Sequence, residues 1–173
     1  MDTIFAETTP PGRGGVSVIR ISGSQAKKAL VWLSGPVGPA REAQLRALRE
    51  GDDLIDRALV IWFQEGNSFT GEVVAEIHLH GAPVIVQRVA TALLHYGLRR
   101  AEAGEFSKRA FVNGRMDLAE AEGLSDLLEA ETEVQRQLAM RAVNGEVSRV
   151  AEEIRKKMIR AGALIEASID FAD

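Results

Sequence analysis

From residue 116 to residue 173 the chain carries one glycine pause, at Asn144-Gly145, and otherwise only helix formers apart from Gly123 and Gly162. Within it Val147, Val150, Ile154, Met158, Ala161, Ile165 and Ile169 recur at intervals of three and four, a coiled-coil-like seam. Leu124, Leu127, Val134 and Leu138 form a looser stripe upstream. The pattern predicts two long amphipathic helices joined at Gly145 as an antiparallel hairpin. Such a pair buries little by itself, so further helices are expected from missing sequence or another subunit. The chain therefore reads as a fragment of something longer.

Before residue 116 the period is different. Residues 68–81 open with a turn, Ser68 to Gly71, and continue as an alternating, β-branched run that predicts a strand. Residues two apart share a strand face, so Val74, Glu76, His78 and His80 point one way and Ala75, Ile77 and Leu79 form the core face. A carboxylate and two imidazoles on one face make this the most chemically loaded stretch, although half-buried strands also carry polar residues on their wet side. Residues 3–8 predict a first strand. Pro10-Pro11-Gly12-Arg13-Gly14-Gly15 then breaks regular structure. Residues 16–21 return to strand, with Val16, Val18 and Arg20 on one face and Ser17, Ile19 and Ile21 on the other. Ser22 or Ser24 is expected to cap the helix that follows, to about Leu33.

Residues 44–50 and 54–63 flank Gly51-Asp52-Asp53 as a hairpin. Pro83 stands near the start of the next helix, where its missing N–H costs little. That helix runs to about Tyr96 and carries Val84, Val86, Val89, Leu93 and Leu94 at near-helical spacing. A short strand is expected at residues 98–102, then a helix stopped at Asn113-Gly114. Trp32 and Trp62 are expected in the core, and Met116, Met140 and Met158 on packed helix faces.

Charge and composition narrow the function classes. Hydrophobic content of 46% and charged content of 27% suit a soluble globular protein, and a net charge of −4 gives no global attraction to nucleic acid. Residues 116–173 hold 7 basic and 13 acidic residues, net −6, whereas residues 97–115 hold 5 basic and 2 acidic, net +3. An anion-seeking surface is thus expected near the end of the first domain, with a merely solvated patch as the plainer reading. Without cysteine there is no disulfide, thiolate nucleophile or Cys-based zinc site. No apolar run approaches the roughly 20 residues of a membrane span, and no signal peptide is evident, so a cytoplasmic location is the default.

The Gly12–Gly15 loop could cradle an anion. It fails the dinucleotide fingerprint because Ser17 holds the last position, and no P-loop motif occurs anywhere in the chain. A metal on Glu76, His78 and His80 would need ligands four residues apart, about 13 Å along a strand, to converge. Acid–base work by Glu76, Glu105 or a histidine stays open, with no paired nucleophile in view.

The ordered motifs then become informative together. They are Asp2-Thr3-Ile4; Thr9-Pro10-Pro11-Gly12-Arg13-Gly14-Gly15-Val16; Ile19-Arg20-Ile21-Ser22-Gly23; Asn67-Ser68-Phe69-Thr70-Gly71-Glu72; and Glu76 with His80-Gly81. Further on come Gly104-Glu105-Phe106-Ser107, Arg109-Ala110-Phe111, Asn113-Gly114-Arg115-Met116-Asp117-Leu118, Ala119-Glu120-Ala121-Glu122 and Ile169-Asp170-Phe171. Over essentially its whole length the chain resembles the N-terminal part of the MnmE (TrmE) family of tRNA modification GTPases.

That resemblance implies an α+β fold: a mixed-sheet, tetrahydrofolate-binding domain similar to the folate domain of the aminomethyltransferases, followed by a long α-helical hairpin. Residues 1–116 would be the tetrahydrofolate-binding and dimerisation domain, and residues 117–173 the first helices of the helical domain. The Ras-like G domain, with its GTP, Mg and K, would lie in missing sequence, so this segment is not expected to be catalytic alone. A reduced folate, 5-formyl-tetrahydrofolate or 5,10-methylene-tetrahydrofolate, would serve as one-carbon donor for the wobble uridine of tRNA. Implied partners are a second copy of the chain, a flavin-dependent protein of the MnmG/GidA type, and tRNA through the full-length complex, with no membrane. Family folate contacts carry over onto Arg20, Glu76 and Arg115, with Arg13 and Glu105 second. Three positions depart from the commoner pattern: Arg115 where many members have Lys, Ala82 where many have Gly, and His78-Leu79 in place of a polar-glycine pair. A dimerisation scaffold without folate binding is the alternative.

Overall fold

The computed structural model describes residues 2–170 and forms two compact units, Met1–Arg115 and Met116–Asp173. The first is an α+β unit. Its strands are β1 (Ile4–Glu7), β2 (Ser17–Ser22), β3 (Gln44–Glu50), β4 (Asp53–Phe63), β5 (Val74–Leu79) and the two-residue β6 (Arg99–Arg100). They join in one mixed sheet of order β3-β4-β5-β2-β1-β6, with every neighbouring pair antiparallel except β1 and β6.

Alternation decides which side of that sheet is core. Ile19 and Ile21 of β2, Ala75, Ile77 and Leu79 of β5, and Ala58 and Val60 of β4 are all buried on one face. Helix α1 (Ala26–Ser34) covers this face with Ala26, Ala29, Leu30 and Leu33, and α2 (Pro83–His95) with Val89, Ala90, Ala92 and Leu93. Each fully buried Leu or Ile contributes about 1.5–3 kcal/mol, so this layer is the main stabilising element. The opposite face carries Arg20, Glu76 and His78, and its β1 end is roofed by residues 64–73 and α3 (Glu105–Val112).

Several expectations are corrected here. Helix α1 starts at Ala26 with Gln25 as N-cap and no side-chain cap. Ser22 is instead buried in the sheet, where its hydroxyl meets Thr70 and Glu72, and the Thr3 hydroxyl accepts from the Gln25 amide. On α2 the core face is Val89, Ala90, Ala92 and Leu93 with Val86 packed beside them, while Val84 and Leu94 face outward at 76% and 42% exposure. Trp62 packs against the core and donates to the Gly38 carbonyl, but Trp32 lies at the surface, tilted against Tyr96. Val74 shares a face with Glu76 and is nevertheless buried beneath the 64–73 roof.

The second unit has three helices, α4 (Leu118–Glu129), α5 (Glu133–Val143) and α6 (Glu146–Asp170). The tight hairpin is between α4 and α5, not at Gly145. Thr132 and Gln135 form a capping box that restarts the chain as α5 after a break at residues 130–132, and Asp117 with Glu120 does the same for α4. Gly123 lets α5 approach closely: a Cβ there would lie 2.6 Å from that of Ala142 and 2.9 Å from the Val143 amide. The predicted seam falls on α6, none of whose residues is buried, and Met158 is exposed with it. Phe171 of the last quoted motif lies outside the described residues. Among those residues no helix is long and apolar enough to cross a membrane.

Candidate functional site

Antiparallel pairing of β2 with β5 sets Arg20 opposite Glu76 and Val18 opposite His78. Arg20 Nε donates to Glu76 Oε1 at 2.9 Å. The Arg20 guanidinium also lies over the rings of Phe69 and Phe106, 5.3 and 5.8 Å from their centroids. Those rings come from the roof loop and α3, so three separate elements fix one arginine. Among the described residues only Arg20 donates to Glu76, and the second carboxylate oxygen, Oε2, stands 3.5 Å from His78 Nε2. The pair is half-shielded, with side-chain exposures of 26% for Arg20 and 17% for Glu76. On β4, Ile61 lies opposite Glu76 and Leu59 opposite His78, which gives the open part of this face an apolar border.

Arg115 makes no hydrogen bond or ion pair with Arg20 or Glu76. It lies in a groove of about 550 Å³ beside Gly66, Gly71 and Asn113, with the carboxylates of Glu65 and Glu72. The turn that forms this groove is tightly specified. Ser68 Oγ donates to the Glu72 carbonyl, Asn113 Nδ2 donates to the Thr70 carbonyl, and Gly71 has φ +80°. A Cβ on Gly71 would come within 3.1 Å of the Arg115 side chain, so glycine both permits the turn and leaves room for the guanidinium stem. The structure thus joins two of the three predicted contacts directly, and the third through the turn that carries Phe69.

Behind the turn lies a buried ion cluster. Arg109, only 5% exposed, donates to the carbonyl and carboxylate of Asp2, to both oxygens of Glu72 and to Glu105. Arg99 binds Asp2 and Glu105 from the other side. Hydrogen bonding from Arg99 holds the Glu105 carboxyl down at about 2, aided by the Glu102 amide and Arg109, against the opposing effect of burial. Burial pulls the other way on Arg109, yet Glu72 and Glu105 still raise its guanidinium above the ordinary value. Glu105 is therefore a fixed carboxylate tying α3 to the N-terminal strand, and no longer a free acid–base candidate. Two of the five cations in residues 97–115, Arg99 and Arg109, are neutralised here, which leaves Arg100, Lys108 and Arg115 against Glu102 for any pull on anions.

The remaining predicted features are dispersed. His80 falls beyond the end of β5, and its ring is held by Asp56 at 2.7 Å, on the core-facing register of β4 and away from Glu76. Among the described residues no three His, Asp or Glu side chains are grouped to hold a metal. The Gly14 amide donates to the Gly81 carbonyl, and a Cβ on Gly81 would stand 2.4 Å from the Gly14 carbonyl oxygen. That loop is packed by close backbone contact, and Arg13 is exposed on it. Reading the sequence missed Phe69, Phe106, Glu72 and Arg109 as organisers of the site. Each stands inside a quoted motif, but nothing local pairs Arg109 with a residue 37 positions away.

Comparison with known proteins agrees with this architecture. Residues 3–115 match the family model described as "GTP-binding protein TrmE N-terminus", and residues 118–173 match that of the "MnmE helical domain". A tRNA modification GTPase MnmE of Paracoccus denitrificans is 75% identical over 173 residues, all of this chain and 41% of the relative. Its counterpart in Cereibacter sphaeroides is 51% identical over 174 residues, with the same coverage. The one in Phenylobacterium zucineum is 46% identical over 173 residues, 99% of this chain and 39% of the relative. The chain thus spans about two fifths of the length of the curated relatives it matches.

Proposed function

This chain belongs to the MnmE (TrmE) family of tRNA modification GTPases, and we propose that its α+β unit binds a reduced folate on the sheet face formed by Arg20 and Glu76. The observation that carries the reading is the spare oxygen of Glu76. The carboxylate is fixed by Arg20 through one oxygen, and among the described residues its other oxygen accepts no hydrogen bond in a half-shielded site. A pterin presents adjacent N–H groups on an amidine-like edge, the donor pattern a carboxylate accepts well. Phe69 and Phe106 supply flat apolar surface beside it. Arg115, without an ion-pair partner among the described residues, suits the anionic glutamate tail.

Bound there, the folate would supply a one-carbon unit, as 5-formyl- or 5,10-methylene-tetrahydrofolate, for modification of the wobble uridine of tRNA. Residues 1–116 would then be the folate-binding and dimerisation domain, and residues 117–173 the start of the helical domain. GTP hydrolysis with Mg and K would belong to a G domain outside this chain, and the chemistry would be shared with a flavin-dependent protein of the MnmG type in the cytoplasm. Homodimerisation is supported by Leu45 and Leu59, exposed at 68% and 40% on the same side of the sheet as Glu76.

Calorimetric titration with 5-formyl-tetrahydrofolate beside Glu76→Ala tests the reading. Saturable binding in the wild type, weakened at least about 30-fold in the variant, is expected for loss of a charge-assisted contact. A folded, dimeric wild-type protein with no folate affinity would leave the dimerisation scaffold instead.

A further inference from the structure

We infer that the flank of the α+β unit built by α1 and by the residues leading into β3 is a contact surface for RNA phosphates. The inference rests on the proposed role of the whole protein in tRNA modification and stands apart from the folate face.

Residues 23–49 hold five basic residues, Lys27, Lys28, Arg41, Arg46 and Arg49, against one acid, Glu42, for a net charge of +4. The cations of residues 97–115 are partly consumed by carboxylates, but these are not. Among the described residues, the ion pairs of the α+β unit engage Arg20, Arg88, Arg99, Arg109 and three histidines. A run of cations is most often a solvated face, so placement has to decide.

Helix α1 contains no acidic residue, and Lys28 and Trp32, one turn apart, are both exposed on it. Trp32 is 43% exposed and tilted against Tyr96. Lys27, Arg41 and Arg46 converge on the second indole. Lys27 Nζ lies 3.7 Å from the centre of the Trp62 ring, and the Arg41 amide donates to the Trp62 carbonyl. Trp62 Nε1 donates to the Gly38 carbonyl, while the Gly38 amide and Arg46 Nη2 both donate to Gln44 Oε1. That chain of contacts ties cations from three segments to one frame and includes no carboxylate.

Ammonium and guanidinium groups without acidic partners can neutralise phosphates and release their counterions, and an exposed indole offers a flat face to an unstacked base. The cations come from separate segments and share no acceptor, a spread that suits an extended polyanion better than one small ion. The net charge of −4 does not oppose this, because at 0.1 M salt charges more than about 10 Å apart are largely screened.

The test measures the Kd of the whole chain for a tRNA transcript by fluorescence anisotropy between about 50 and 200 mM salt, with thermal unfolding confirming the fold of each variant. Lys28→Glu combined with Arg41→Glu, both exposed and both outside the folate face, is expected to weaken binding at least about tenfold. It should also flatten the dependence of log Kd on log salt by about 2, since each phosphate contact contributes about 0.9. Lys157→Glu, an exposed cation on α6, should bind within about twofold of wild type. An unchanged affinity and slope in the double variant, or an equal loss in Lys157→Glu, would overturn the surface. Wild-type protein that binds phosphatidylglycerol vesicles but not tRNA would overturn it in favour of a membrane face. Binding of 5-formyl-tetrahydrofolate without tRNA would overturn it and leave the folate reading intact, whereas tRNA binding without folate affinity would do the reverse.

Discussion

Of the arginine–carboxylate constellations in the α+β unit, those around Arg109 and Arg20 are built to opposite ends. Around Arg109 the charges are fully consumed: a buried guanidinium meets Asp2, Glu72 and Glu105, and Arg99 closes the cluster from outside. Around Arg20 they are not, because Glu76 gives one oxygen to the arginine while its other, 3.5 Å from His78, accepts no hydrogen bond among the described residues. The first arrangement locks three chain segments together, residue 2, the turn at residues 68–72 and α3. The second leaves acceptor capacity on a partly open face, which binding sites need and structural clusters do not. Satisfied charge stabilises or costs little. Unsatisfied charge stores specificity.

Removing the centre of the closed cluster should have the largest effect. Arg109→Ala leaves Glu72 and Glu105 without their shared cation, and breaking a buried ion pair from one side costs about 3 kcal/mol or more. Denaturant unfolding should show that loss, and a change below about 1 kcal/mol would mean that water replaces the guanidinium easily.

Acid should expose the same cluster more gently. The Glu105 carboxyl, ordinarily 4.5, is held at about 2 in the folded protein, so its contribution is complete above about pH 4.5 and is lost as the pH falls through about 2. Glu105→Gln should accordingly lower the Tm near neutrality by about 5 °C, with the gap to wild type narrowing between pH 4.5 and pH 2. A gap that is constant over that window would separate the variant's effect from ionisation.

The proposed folate face, to which Arg115 is assigned beside the open constellation, should respond in binding and scarcely in stability. Arg115→Ala is expected to weaken 5-formyl-tetrahydrofolate about tenfold, a charge-assisted contact of roughly 1.4 kcal/mol, while shifting unfolding by less than about 0.5 kcal/mol. A stability loss as large as that of Arg109→Ala would erase the distinction between the two regions.

Much of this was legible in the chain. Alternation set the core faces of β2 and β5, Pro83 opened α2, Asn113-Gly114 closed α3, and the Gly51 turn joined β3 to β4, because each depends on residues within a few positions of one another. The break between α4 and α5 was also written locally, as Thr132-Glu133-Val134-Gln135, a capping box hidden inside a run that otherwise reads as continuous helix. The ordered motifs carried the family.

What the tertiary structure alone decided is which charges meet. Arg20 reaches Glu76 across 56 positions of sequence, Arg109 reaches Glu72 across 37, and Asp2 is reached from Arg109 across 107. Periodicity placed His80 on the same face as Glu76, but the strand ends at Leu79 and Asp56 takes the imidazole instead. Local sequence sets backbone preference and the side of the sheet a residue faces. It holds no term for a partner brought near only when the sheet assembles, and that assembly leaves Glu105 a strut and Glu76 with an oxygen to spare.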